Sequence, residues 1–164
     1  MTGDDALELL RGDPVAQQLL TGSIPARLAY LALDGTPRVI PIAQHFDGHA
    51  IVVATIDTAP KVAALQAHPA VALTIDTDDH PPLALLVRGV AEVTFVDGVA
   101  PEYLAASRRA IPPDAWPAFE EEVTALYDRM ARIAITPTWA RVFDFQTRAP
   151  AAVTRLMEAK GLAP

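Results

Sequence analysis

The stretch ARLAYLALDGTPRVIPIAQHFDGHAIVVATI, residues 26–56, decides the fold. It holds three short apolar runs, Ala26 to Leu33, Arg38 to Phe46 and Ala50 to Ile56, separated by Asp34-Gly35 and Asp47-Gly48. Asp-Gly between such runs is a strong hairpin signal, because a two-residue turn with positive φ matches the right-handed twist of its strands. The expected unit is a three-stranded antiparallel meander with two-residue turns.

Downstream, Ala59-Pro60-Lys61 opens a short helix, apolar at Val62 and Leu65 and stopped by Pro69. Val71 to Ile75 and Leu83 to Val96 read as strands around the polar loop Asp76 to His80, with Gly89 as a bulge or bend. Asp114 is placed to cap a helix whose Trp116, Phe119, Val123, Leu126, Tyr127 and Met130 recur at helical spacing, a stripe read as core packing. Two last strands, Ala131 to Thr136 and Trp139 to Phe145, are joined by Thr136-Pro137-Thr138, and a terminal helix follows over residues 150–160. Upstream, residues 5–22 form a helical cover, with Pro14 just inside a helix start after Asp13 and Gly22 as a stop. Six or so strands with short helical crossings predict a mainly β fold, a six-stranded barrel. No repeat or linker divides the chain, so residues 1–164 are read as one domain.

Composition narrows the function. With 51% hydrophobic and 20% charged residues the chain has the makings of a core, and its 15 prolines imply many turns. It has no cysteine, which removes disulfides, thiolate nucleophiles and thiolate metal sites; redox chemistry therefore requires a bound cofactor. A formal net charge of -7 without basic runs argues against nucleic acid and anionic membranes as partners. The acidic Met1 to Asp13 segment lacks the regions of a signal peptide, and the apolar run Pro81 to Val87 is too short to span a bilayer. A cytoplasmic location is the expectation.

Catalytic motifs are scarce. His45 and His49 have the spacing of a helical metal pair, but two-residue-turn geometry sets Phe46 opposite His49 and His45 opposite Ala50, which turns the imidazoles to opposite faces. Asp76, Asp78, Asp79 and His80 read as a solvated loop rather than a metal site. Serine occurs only at Ser23 and Ser107, and no G-x-S-x-G, G-x-G-x-x-G or P-loop segment is present. The segment Ala54-Thr55-Ile56-Asp57-Thr58-Ala59-Pro60-Lys61 differs: a strand end runs into a helix start that carries Lys61, one of two lysines with Lys160. Free N–H groups, the positive dipole end and an added ammonium suit an anion. The same residues read equally as a surface lysine beside a capping threonine.

Several of these pieces in order carry a resemblance: Arg27-Leu28-Ala29, Asp34-Gly35, Arg38-Val39-Ile40-Pro41-Ile42, the Thr55 to Lys61 corner, Lys61-Val62-Ala63-Ala64-Leu65 with His68-Pro69, and Val87-Arg88-Gly89-Val90-Ala91-Glu92-Val93. From Ile24 to Phe145 the chain resembles the pyridoxamine 5'-phosphate oxidase-like superfamily of flavin and deazaflavin split-barrel proteins. The resemblance implies a six-stranded split barrel that forms a homodimer with cofactor clefts at the interface. It implies that Val39, Ile40, Pro41 and Ile42 present backbone groups to the ring edge. Thr55 and Lys61 would hold the phosphate, flanked by Ala54, Pro60 and Val62, with Arg38 in reach. Arg88 falls on the interface strand, and Trp139 walls the ring from the partner subunit. The cofactor implied is FMN or, alternatively, the 8-hydroxy-5-deazaflavin coenzyme. The chain lacks the extra arginine or serine that often stands beside the lysine, and Arg141 to Pro164 lacks the substrate-binding segment of the pyridoxal-forming enzymes.

The expected function is hydride transfer to or from a small organic substrate, which needs orientation and a dry cleft rather than a catalytic acid or base. No catalytic residue and no metal ligand is assigned. The rival reading keeps the dimeric barrel as a non-catalytic carrier or sensor of flavin or haem.

Overall fold

Both Asp-Gly hairpins form, but neither is a two-residue turn centred on Asp-Gly: Ala32 N donates to Thr36 O around three residues, and Asp47 N donates to Ala50 O around Gly48-His49. The computed structural model, which describes residues 1–148 and 150–162, pairs β1 (Ala26–Leu31) antiparallel to β2 (Pro37–Ile42), with Leu31 opposite Pro37. It pairs β3 (His45–Phe46) with β4 (Ile51–Ile56), with Phe46 opposite Ile51. A two-residue turn centred on Asp-Gly needs positive φ at both residues, yet only the glycines have it, Gly35 at 78° and Gly48 at 92°. Each aspartate instead bonds the backbone ahead of it: Asp34 Oδ1 accepts from Thr36 N at 2.9 Å, and Asp47 Oδ1 from His49 N and Ala50 N at 2.8 Å. His45 therefore lies opposite Val52, which corrects the expected pairing with Ala50.

The three-stranded meander is replaced by a wider arrangement. The run from Arg38 to Phe46 breaks at Ala43-Gln44, so β2 and β3 are separate strands. Gln44 is only 1% exposed; its side chain donates to Leu20 O at 3.0 Å and its carbonyl accepts from Arg109, so its polar groups serve a seam rather than a ladder. The seven strands form one antiparallel sheet in the order β2-β1-β5-β6-β7-β4-β3, in place of the six expected. Its two edges, β2 and β3, are joined by two residues, which span at most about 11 Å. A flat sheet of that order would set them about 29 Å apart. The sheet is thus rolled, and open along the Ala43-Gln44 seam.

The remaining strands are β5 (Ala70–Asp76), β6 (Leu83–Asp97) and β7 (Arg129–Asp144). β7 runs unbroken where two strands were expected. Pro137 is accommodated at a bulge: Arg88 pairs Trp139 and Gly89 pairs Pro137, leaving Thr138 extra, with its hydroxyl donating to Arg88 O at 3.3 Å. Gly89 is required there, because a Cβ would lie 2.6 Å from Thr136 O.

Six helices complete the described chain. α1 (Gly3–Gly12) starts in a capping box between Thr2 and Asp5, and α2 (Pro14–Thr21) is capped by Asp13 Oδ1, which accepts from Val15 N and Ala16 N. α3 (Pro60–Ala67) links β4 to β5, α4 (Pro101–Ser107) and α5 (Trp116–Leu126) link β6 to β7, and α6 (Ala151–Ala159) follows β7. The expected Asp114 cap is not made; Ala115 precedes α5 without a side-chain bond. Of the proposed stripe, Trp116 and Val123 are buried on α5, Leu126 is exposed, and Met130 belongs to β7.

Leu10, Leu19 and Leu20 from the covering helices meet Leu28, Ile51, Leu65, Ile75, Leu85, Ile133 and Ile135 in one core. Each such fully buried side chain contributes roughly 1.5–3 kcal/mol. No described helix is long and apolar enough to cross a membrane.

Candidate functional site

The outward face of the sheet carries a straight row of residues. Val39 on β2 pairs Ala29 on β1, Ala29 pairs Ala72 on β5, Ala72 pairs Arg88 on β6, and Arg88 pairs Trp139 on β7. The two alanines at the centre of the row leave a trough between larger flanks, a cavity of about 320 Å³ that Arg27, Thr74 and Leu86 also line. Its floor is apolar, Val39 stands 67% exposed beside it, and the Arg88 guanidinium lies 4.3 Å from the Trp139 ring centroid. Arg88 makes no ion pair among the described residues, whereas Arg27 is paired with Asp76 at 3.2 Å. A flat cation held over an indole, facing an apolar trough, suits a planar, electron-rich ligand.

The strand-to-helix corner forms a second locus. Lys61, at the second position of α3, donates from Nζ to Thr55 Oγ1 on β4 at 3.2 Å. The lysine is half-buried and has no carboxylate partner among the described residues, and burial pulls its ammonium below the usual lysine range. Ala59 gives α3 no side-chain cap and Pro60 has no N–H, so the backbone N–H of Lys61 is a free donor at the helix start. The reading as a surface lysine beside a capping threonine does not hold. What remains is a half-buried positive charge beside a free backbone donor, a combination able to bind an anion.

The other expected site residues fall into place around these two loci. Arg38 and Pro60 line one small cavity between the β1–β2 hairpin and α3, where Arg38 is paired with Asp34 at 3.1 Å. Ile40 and Ile42 pack on the core, and Pro41 is exposed on β2, an edge strand whose outer backbone has no strand partner. Ala54 and Val62 are buried at 8% and 3% exposure. Arg38 and Val39, consecutive on β2, point to opposite faces. The corner and the trough of one chain therefore lie on different sides of that edge strand.

No group of three or more His, Asp or Glu among the described residues is arranged to hold a metal. His49 is occupied: Arg11 Nη2 lies 3.0 Å from its Nδ1. Sequence reasoning missed Ala29, Ala72, Thr74 and Leu86; the signal was the alternation in Leu28-Ala29 and Val71-Ala72-Leu73-Thr74, where every second residue is small or polar.

No family model and no curated protein matches the chain. Solved structures do. An F420 reductase is 26% identical, with a TM-score of 0.52 over 76% of this chain and 94% of that one. A protein from Clostridium acetobutylicum related to general stress protein 26, of the pyridoxinephosphate oxidase family, is 13% identical with a TM-score of 0.54 over 84% of this chain and 89% of that one. A FAD-binding protein from Mesorhizobium loti is 18% identical with a TM-score of 0.51 over 77% and 87%. The chain shares its fold with these three structures.

Proposed function

We propose that this chain is a cytoplasmic oxidoreductase that holds FMN or the 8-hydroxy-5-deazaflavin coenzyme and works on a small organic substrate as a homodimer. The observation that carries the reading is the desolvated, unpaired Lys61 bonded to Thr55 at a helix start. Lys61, Thr55 and the Lys61 N–H take the phosphate, with Arg38 alongside. The edge of β2 offers backbone groups to the ring. Because the trough faces away from the corner, a second copy supplies the closing wall: the partner subunit's Arg88 and Trp139 cover the ring. Pairing two copies through the trough also buries Val39 and the other apolar residues around it.

Bound there, a flavin-type coenzyme supplies hydride transfer. The chain's own residues bind, orient and exclude water, which explains why no acid–base pair is needed. Three of the solved neighbours are named for F420 reduction, FAD binding or the pyridoxinephosphate oxidase family, which favours a coenzyme of this class.

The test is the absorption spectrum of freshly purified protein with mass analysis of what it releases on denaturation, followed by reduction of FMN- and deazaflavin-loaded protein in the presence of candidate acceptors. A released flavin or deazaflavin whose reduced form is reoxidised by an organic acceptor supports the proposal. Loaded protein whose reduced coenzyme no organic acceptor reoxidises would reduce it to a carrier.

A further inference from the structure

Arginine is unevenly used. Three arginines, Arg141, Arg148 and Arg155, converge on one cavity of about 500 Å³ between the end of β7 and α6. Arg148 is fixed in place by Asp13 at 2.8 Å and Asp144 at 3.2 Å. Arg141 and Arg155 make no ion pair among the described residues. Arg141 rests 5.6 Å from the Phe143 ring centroid, on the same outward face of β7 as Trp139. In a chain of formal net charge -7, two uncompensated guanidinium groups beside a third in a shared recess concentrate positive charge locally.

The backbone adds to this. α6 begins on the cavity at Ala151 and Ala152, and Pro150 before it provides no side-chain cap. Its first N–H groups are therefore open to a ligand. Asp144, the acidic residue lining the recess, is consumed by its own bonds: it accepts from Gln146 N at 3.0 Å, Thr147 N at 2.9 Å, the Thr147 hydroxyl and Arg148.

From this geometry we propose that the β7–α6 recess is a second anion site, separate from the Lys61 corner, which takes the phosphate or carboxylate group of a small molecule. Arg141 and Arg155 are the binding groups. Arg148 shapes the wall, since its own charge is more than offset by Asp13 and Asp144, which leaves Arg141 and Arg155 as the source of net positive charge. The planar guanidinium forks match an oxyanion's geometry.

The test is an amide-shift titration of the full chain at constant ionic strength with inorganic phosphate, and in a second arm with succinate. Saturable shifts at Ala151 and Ala152 are expected in at least one arm, and the tighter arm names the oxyanion. Arg155→Gln and Arg141→Gln are each expected to weaken that binding about tenfold, while Lys61→Met leaves it unchanged. Shifts confined to residues 55–61, shifts that chloride reproduces equally, or affinity untouched by both arginine changes would overturn the proposal. The wild-type shift map decides the question even where a variant fails to fold.

Discussion

Lys61 Nζ donates to Thr55 Oγ1 across 3.2 Å, which ties the end of β4 to the start of α3 and sets an ammonium in a partly dry corner. Burial lowers its pKa from the ordinary 10.5, so the unfolded chain binds more protons in the window between the folded value and 10.5, and stability rises with pH there. Lys61→Met removes that rise. Coenzyme-free Lys61→Met is expected to melt no lower than wild type near neutral pH, while its coenzyme affinity falls roughly 10- to 100-fold, the range for a lost charge-assisted bond. Thermal melts across pH, with and without coenzyme, check both halves.

Trp139 reports on the trough. The chain has two tryptophans, and Trp116 is buried on α5 with its indole N–H bonded to Glu120 at 2.9 Å. Coenzyme binding is expected to quench Trp139 fluorescence, and Trp139→Phe to abolish most of the quench. An equal quench in Trp139→Phe would place the ring elsewhere.

Gly89→Ala tests the bulge that lets β6 and β7 run long. Its Cβ would meet Thr136 O at 2.6 Å and Ile135 Cγ2 at 2.7 Å, and the first of these, a backbone atom, cannot move without shifting the strand. A destabilisation of about 1–3 kcal/mol is expected in denaturant melts. A displaced Trp139 would weaken coenzyme binding beyond that loss.

Much of this was legible in the residues. Asp13-Pro14, Pro60 and Gly89 announce themselves through capping, fixed φ and close backbone approach, and the elements they mark lie where the sequence reading puts them. The meander was misread because Val39 to Ala43 is an apolar run and the single polar Gln44 beyond it does not by itself mark a turn. That break depends on Arg109 and Leu20, 65 and 24 residues from Gln44. The final strand was split because proline argues against a strand interior, and only Gly89 on the adjacent β6 makes room for it. The trough showed in the sequence only as alternation: Ala29 and Ala72 read as small outward residues, and pairing is what aligns them between Val39 and Arg88.

Acid tests the C-terminal turn. The Asp144 carboxyl is lowered from 3.8 to about 2, first by the Thr147 hydroxyl and backbone N–H and further by Arg148 and Gln146 N, and Asp13 is lowered by Arg148. A depressed carboxylate stabilises the fold above its unfolded pKa, and that stabilisation is lost as pH falls through the folded value. Between pH 3.8 and about 2 the 144–148 turn is expected to release, seen as faster amide exchange at Gln146 and Arg148 before the core opens. Asp144→Asn should show that faster exchange already at neutral pH.

The central claim is a flavin-type coenzyme held by its phosphate at the Lys61 corner. Calorimetric titration of coenzyme-free wild type with FMN and with the deazaflavin coenzyme tests it most directly. Saturable binding of at least one of them is expected at one equivalent per chain, weakened by Lys61→Met. No binding of either by folded protein, or binding that Lys61→Met leaves intact, contradicts it.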